Sequence, residues 1–272
     1  MRPKLGIIAG GGELVAELCT SCRKQGREYF VIGINGNVDP NNLKESPHEI
    51  IHLGAIGRLI YEFRKQAVEE IVMVGSIQRP NWQEIRPDWR ALKLFPRLLA
   101  GGQGDGDVLR VAITELENEG FCVIGIEQVL PDLLTPLGKV GRYSPSPQVK
   151  KDISLGLSVA RTIGELDIGQ AVVVQQGLVL GMEAAEGTDS LILRCGLLSK
   201  PGEKGTLVKI KKPGQDSRAD LPTIGPDTIR RVQESGLGGI ALQAFGSLIV
   251  ERTKVVELAD KCGIFVLGID LK

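Results

Sequence analysis

The residues best suited to chemistry lie late in the chain, in Lys212-Pro213-Gly214-Gln215-Asp216-Ser217-Arg218-Ala219-Asp220-Leu221-Pro222-Thr223-Ile224-Gly225-Pro226-Asp227. Asp216, Asp220 and Asp227 are separated by prolines and glycines, which argues against a repeating solvated face. Proline fixes φ, so a loop pinned in this way can hold its carboxylates toward one place. Upstream, Glu183-Ala184-Ala185-Glu186-Gly187-Thr188-Asp189 follows an apolar run and brings more carboxylates. Such groups are hard ligands for Mg²⁺ or Mn²⁺, and a divalent ion lowers the pKa of water bound to it. Arg218 and a lysine such as Lys212 can neutralise charge that develops on a phosphoryl group. These residue types suit cleavage of a pyrophosphate. Asp227, directly after Pro226, is expected to cap a helix.

A second candidate opens the chain. An apolar run from Lys4 to Ala9 stops at Gly10-Gly11-Gly12, and helical spacing follows. A strand, glycine turn and helix in this order expose N–H groups at the positive end of a helix dipole, which suits a phosphate or a sugar. A plain tight turn explains the glycines equally well. As a dinucleotide fingerprint the stretch is poor. Val15 fills the third glycine position, and the second strand ends in Gly33-Ile34-Asn35, with no carboxylate for a ribose. Gly75-Ser76-Ile77-Gln78-Arg79-Pro80 closes another apolar run, where the ligands of open α/β sheets collect, and Arg79 could meet a phosphate there. Gly104-Asp105-Gly106-Asp107 lacks the further acidic positions of a calcium loop and reads more simply as a helix start. His48 and His52 are expected to flank a strand, and no Gly-x-Ser-x-Gly elbow supports acyl transfer.

The bulk composition narrows the classes. In 272 residues, 33 basic side chains cancel 33 acidic ones, so no general field draws the chain to polyanions. Aromatic residues make up only 4%, which disfavours a base-stacking platform, so nucleic acid is not an expected partner. Thirty-five glycines without a Gly-X-Y period suit many tight strand-to-helix turns. The five cysteines are scattered and odd in number, and no secretory signal is visible, so a reducing cytoplasm is expected. Cys19-x-x-Cys22 has no second ligand pair and reads as core. No apolar run approaches membrane-spanning length, so any membrane contact is expected to be peripheral.

Strands at 4–9, 29–34 and 71–74 alternate with helices at 13–25 and 55–66, which predicts parallel βαβ units in a doubly wound sheet. Helices over 89–99 and 108–119 and a strand over 121–126 complete this half. Pro131–Pro147, with four prolines, reads as a connection. The second half then predicts a helix over 149–163, strands at 171–175, 178–182 and 207–211, and two further helix–strand pairs ending at 268. The expected domains are 1–131 and 148–272, joined by a linker over 132–147, with a cleft between them as the natural ligand site.

The sequence resembles the LpxI-type UDP-2,3-diacylglucosamine pyrophosphatases over almost its whole length. The likeness rests on Gly6-Ile7-Ile8-Ala9-Gly10-Gly11-Gly12, Arg79-Pro80, Arg86-Pro87-Asp88, Asp167-Ile168-Gly169-Gln170, Glu183–Asp189, Lys212–Asp216 and Asp220–Thr228. It departs from the family pattern at Val15, Ser76 and Gly106. The resemblance implies an α/β fold of two domains, an N-terminal Rossmann-like parallel sheet and a distinct C-terminal α/β domain. It implies water attack at the α-phosphorus of a lipid-linked nucleotide sugar, giving UMP and 2,3-diacylglucosamine 1-phosphate (lipid X), with Mg²⁺ or Mn²⁺ as cofactor. On that basis Asp220 is the expected essential carboxylate, assisted by Asp189 and Asp216, with the metal on Asp220 and Asp189. Gly10, Gly11, Gly12, Gly75, Ser76, Arg79, Thr188, Lys212, Gln215 and Arg218 are the expected substrate contacts. Peripheral contact with the inner membrane and a homodimer are both compatible with this reading. Leu92–Leu99 reads as core packing before it reads as a wall for acyl chains. Two rivals stay open, a Rossmann-type oxidoreductase using NAD or a sugar nucleotide, and a non-catalytic nucleotide-binding regulator.

Overall fold

A computed structural model describes residues 2–77, 87–93, 105–218 and 221–271. The chain divides into two compact units, Met1–Pro131 with Asp216–Asp220, and Asp132–Gln215 with Leu221–Lys272. Among the described residues no helix is long and apolar enough to cross a membrane.

In the first unit, β1 (Leu5–Ala9) and β2 (Tyr29–Ile34) are apolar and buried at every position, as strands covered on both faces must be. With β3 (His48–Ile51), β4 (Glu70–Val74) and β5 (Cys122–Val123) they form a wholly parallel sheet in the order β3-β2-β1-β4-β5. Successive strands leave β1 in opposite directions along the sheet, so β1 and β4 mark a topological switch point. Helix α1 (Leu14–Lys24) buries Val15, Leu18, Cys19 and Cys22, an i, i+3, i+4, i+7 stripe. Helices α2 (Ile56–Lys65) and α3 (Asp105–Asn118) place Phe63, Ile113 and Leu116 in a core with Phe30, Ile32 and Ile71. Phe63 meets Phe121 edge to face, with centroids 6.1 Å apart. The strand expected over 121–126 is shorter, because the chain turns into a 3₁₀ segment at Ile126–Gln128.

The second unit holds a six-stranded sheet in the order β6-β13-β11-β9-β7-β8. Its strands are β6 (Gly138–Val140), β7 (Ala171–Gln175), β8 (Leu178–Met182), β9 (Thr206–Lys209), β11 (Gly239–Gln243) and β13 (Phe265–Ile269). Strands β9, β11 and β13 run parallel, and β7 and β6 run against them. Because β8 is antiparallel to β7, it runs the same way as β9. A two-stranded parallel pair, β10 (Thr223–Ile224) and β12 (Leu248–Ile249), lies apart from the large sheet.

Four helices complete this unit: α4 (Pro147–Glu165), α5 (Gly187–Gly196), α6 (Pro226–Glu234) and α7 (Arg252–Cys262). Helix α4 starts with Ser146 accepting from the Val149 N–H and with Pro147 in its first turn. Its carboxylate Asp152 is fully buried and accepts from the Gln176 and Gly177 N–H groups at 2.7 and 2.8 Å. Those two residues form the β7–β8 turn, both with positive φ.

The stretch read as a connection, 132–147, is built into the second unit. Gly138–Val140 pairs antiparallel with β13, Leu134 bridges Leu248, and buried Thr135 meets Ser247 at 2.8 Å. Its prolines sit around a three-residue edge strand, where a missing N–H is tolerated. Asp227 is a second difference. The helix start belongs to Gly225, whose N–H donates to Thr228 Oγ1, while exposed Asp227 pairs with Arg230.

Candidate active site

Ligands of open α/β sheets collect outside the carboxyl ends of parallel strands, and each unit has such an edge. In the first, Gly10–Gly12 follow β1 and Gly75-Ser76 follow β4, the two strands of the switch point. The loops are bonded to each other. Gly11 N–H donates to the Ser76 carbonyl at 2.8 Å, Ser76 N–H donates to the Gly11 carbonyl at 3.0 Å, and Gly10 N–H donates to Val74. A Cβ on Gly10 would lie 2.4 Å from the Ser76 oxygen, and one on Gly75 would lie 2.5 Å from the Gly11 oxygen. The closeness of the two loops therefore accounts for Gly10 and Gly75. Gly12 (φ +105) leads into α1, whose first turn has N–H groups available to an anion, since an α-helix leaves its first donors without intrahelical acceptors. Arg79 lies outside the described residues, as does the part of Leu92–Leu99 beyond Lys93. A hollow of about 970 Å³ bordered by Arg2, Lys4, Arg27, Glu28 and Glu69 opens at the opposite, amino edge of this sheet.

In the second unit the parallel edge gathers side chains. Glu183 follows β8, Lys209 ends β9, and Gln243 ends β11. Glu183 is buried, accepting from Thr188 Oγ1 at 2.5 Å and from the Gln170 N–H at 3.0 Å. This carboxylate ties the start of α5 to the Asp167–Gln170 turn and holds Thr188 inward. Asp189, in the first turn of α5, has its side chain about half exposed and lies 3.0 Å from Arg231 Nε. Glu186 pairs with Arg194 at 2.7 Å, and its own backbone N–H, with Arg194, holds its carboxyl below the ordinary range. Lys212 Nζ lies 2.8 Å from Asp167, and the Lys212 N–H donates to Gln215 Oε1. Thr188, Asp189, Lys212 and Gln215, picked out by the sequence, thus follow β8 and β9 at one edge.

Asp216 and Arg218 belong to the first unit. Asp216 accepts from the Arg218 N–H at 3.0 Å and from the guanidinium at 2.7–3.2 Å, while Arg218 Nη1 reaches Glu117 at 2.5 Å. These two carboxylates, Asp216 first, favour the charged guanidinium beyond even its usual strength. Asp220 lies outside the described residues. Among the described residues no group of three or more His, Cys, Asp or Glu is placed to hold a metal ion, and Asp189 and Asp216 each face an arginine. Cys19 and Cys22 are buried, and burial pushes the Cys22 thiol up to about 11, as suits core residues better than thiolate ligands.

Sequence reasoning passed over Lys209. It is buried, and its Nζ donates to the Thr223 carbonyl at 3.2 Å. The signal available beforehand was a lone lysine closing an apolar strand, Leu207-Val208-Lys209, at the end where ligands gather.

Two α/β units with polar groups collected at the carboxyl edges of their sheets define an α/β enzyme rather than a structural module. The chain belongs to the LpxI family. It matches the LpxI N-terminal domain over residues 4–133 and the LpxI C-terminal domain over 136–267. It is 40% identical over 274 residues to the UDP-2,3-diacylglucosamine pyrophosphatase LpxI of Caulobacter vibrioides, covering 98% of each chain. Two solved structures resemble it remotely. A CobK precorrin-6A reductase gives a TM-score of 0.30 at 11% identity over 99% of this chain and 88% of that one. A UDP-glucose-4-epimerase from Stenotrophomonas maltophila gives 0.33 at 9% identity over 96% and 98%. Neither likeness bears on fold or activity.

Proposed function

We propose that the chain hydrolyses UDP-2,3-diacylglucosamine in lipid A biosynthesis, with water attacking the α-phosphorus to release UMP and 2,3-diacylglucosamine 1-phosphate (lipid X). One observation carries this reading, the full-length 40% identity to a relative named for that substrate and reaction. The polar edge of the second sheet, with Thr188, Asp189, Lys209, Lys212 and Gln215 at or just beyond strand ends, supports it.

Asp220 is the proposed essential carboxylate, and Pro222 and Ile224 after it accept from the Leu248 and Val250 N–H groups. Lys212 is the proposed cation for the diphosphate, and the open N–H groups of Gly12 and the first turn of α1 are a proposed anion contact. Mg²⁺ or Mn²⁺ is proposed as cofactor. Mg²⁺ is commonly held by one or two carboxylates together with substrate phosphates, so Asp220 with Asp189 is the proposed set. Asp189 would have to exchange Arg231 for the ion. The diacyl substrate makes peripheral contact with the cytoplasmic face of the inner membrane part of the proposal.

The test is release of UMP from UDP-2,3-diacylglucosamine by the purified chain, with Mg²⁺, with Mn²⁺ and after chelation. Run in ¹⁸O-water, attack at the α-phosphorus puts the label in UMP, whereas attack at the β-phosphorus puts it in the lipid phosphate. Folded protein that releases no UMP with any of these metals refutes the proposal, and loss on chelation is the expected sign of the cofactor.

A further inference from the structure

In the first unit the outer face of α2 meets a helical turn at 89–93, and one carboxylate joins them. Asp88 accepts from the Gly57 N–H at 2.5 Å and from the Ala91 N–H at 2.9 Å, and its own N–H donates to the Gly54 carbonyl at 3.1 Å. A hollow of about 440 Å³ is bordered here by Gly57, Ile60, Tyr61, Arg64, Lys65 and Arg90. Beside it Tyr61, Trp89 and Leu92 are each more than half exposed. Two rings and a leucine left in water forgo the burial that a packed core gives them. In a chain with 4% aromatic residues, their gathering on one face marks a contact surface.

Charge separates in depth on this face. Arg58 lies 3.3 Å from Glu49 and 2.8 Å from Glu62, Lys65 lies 3.7 Å from Glu62, and Arg64 and Arg90 share Glu119. The Glu62 and Glu119 side chains are 4% and 17% exposed, against 34–58% for the four cations paired with them. Asp88 is taken up by two backbone amides, so among the described residues Glu49 is the one carboxylate of the group that stands outward. The layer that meets solvent is therefore cationic. Two of its cations cover rings: Arg58 Cζ lies 5.7 Å from the Tyr61 centroid, and Lys93 Nζ lies 3.6 Å from that of Trp89.

We infer that this face docks on an anionic lipid bilayer. Tyr61, Trp89 and Leu92 enter the headgroup region, where an amphipathic ring has apolar contact on one side and water on the other. Arg58, Arg64, Lys65, Arg90 and Lys93 meet lipid phosphates. A soluble anion would need cations converging on an enclosed site, whereas these stand outward around apolar groups. A second copy in the same contact would set like charge against like. Docking here deepens the proposed function, which gives the chain a substrate with two acyl chains, while the binding itself is measurable without that activity.

Flotation with vesicles of phosphatidylethanolamine and phosphatidylglycerol, against vesicles of phosphatidylcholine alone, reads the contact directly. Wild type should bind the anionic vesicles at least about tenfold more tightly than the neutral ones, and less tightly as salt rises. Lys65→Gln with Lys93→Gln should lower anionic binding about 30-fold, the scale of two basic residues at such a surface. Tyr61→Ser with Trp89→Ser should lower it at least about tenfold, while Leu166→Ser, at an exposed leucine of the second unit, leaves it unchanged. If the serine pair does not fold, Trp89→Ser alone is judged by the same reading. Wild type that ignores anionic vesicles, folded variants that bind like wild type, or a Leu166 variant that loses as much overturns the inference. So does a wild-type dimer in sedimentation equilibrium that the serine pair dissolves, since that assigns the face to a second copy. Release of UMP from detergent-dispersed substrate is scored separately. Vesicle binding without release refutes the proposed activity alone, and release without vesicle binding refutes the docking surface alone.

Discussion

At the carboxyl edge of the first sheet the polar work is done by backbone. Gly11 and Ser76 exchange two hydrogen bonds, and glycines at 10 and 75 let the main chains approach to where a Cβ would collide. At the corresponding edge of the second sheet it is done by side chains, with Glu183 holding Thr188, Lys212 reaching Asp167, and Lys209 holding Thr223. A backbone edge keeps its shape whatever polar side chains change around it, but it tolerates no added methyl. A side-chain edge has the opposite sensitivity, since substituting one residue removes a charge and leaves the fold standing. The difference argues that chemistry sits with the second edge and rigid support with the first.

The largest expected effect is on activity. Asp220→Asn should lower kcat by about 10³-fold, the scale of losing one group that stabilises the transition state, with the melting temperature unchanged. Wild-type kcat in that variant would remove the main carboxylate from the proposal. Next comes Gly10→Ala, which must drive a Cβ toward the Ser76 oxygen at 2.4 Å and should cost about 3 kcal/mol in a urea titration. A cost under about 0.5 kcal/mol would show that the two loops part freely. Asp152→Ala, at the far edge of the second sheet, should cost about 2 kcal/mol, because two turn N–H groups lose their acceptor, while kcat stays within about twofold. The smallest effect separates structure from chemistry at Asp189. Its partly exposed pair with Arg231 should contribute at most about 1 kcal/mol, so Asp189→Asn should hardly move stability. A drop in kcat without a drop in stability would place Asp189 in the reaction.

The strands most legible in the sequence were those buried on both faces. Tyr29–Ile34, Ala171–Gln175 and Gly239–Gln243 fall where their apolar runs end in glycine or polar residues. The three-residue β6 and the two-residue β10 and β12 carry no such run, and only their partners define them. Helix α5 was hidden by its polar first turn. Thr188 and Asp189 read as loop, and the helix is fixed by Leu191, Ile192 and Cys195 meeting the core. Thr188, Asp189, Lys212 and Gln215 were readable as candidates because they follow strand ends. The structural roles of Lys209 and Asp152 were not, because a buried charge makes sense only once its partner, 14 or 25 residues away, is in place.

The Asp152 latch decides where this chain can be opened. The turn at Gln176-Gly177 is a two-residue reversal with both residues at positive φ, the sort of tip usually chosen for a tag, a nick or new termini. Both its amides are donated to a carboxylate with no exposure to water. Severing it would strand that charge in the interior, so a circular permutant cut there should fail to accumulate. A cut in the exposed Pro201-Gly202-Glu203 stretch gives up only the amide contacts of Gln175 and Gln176.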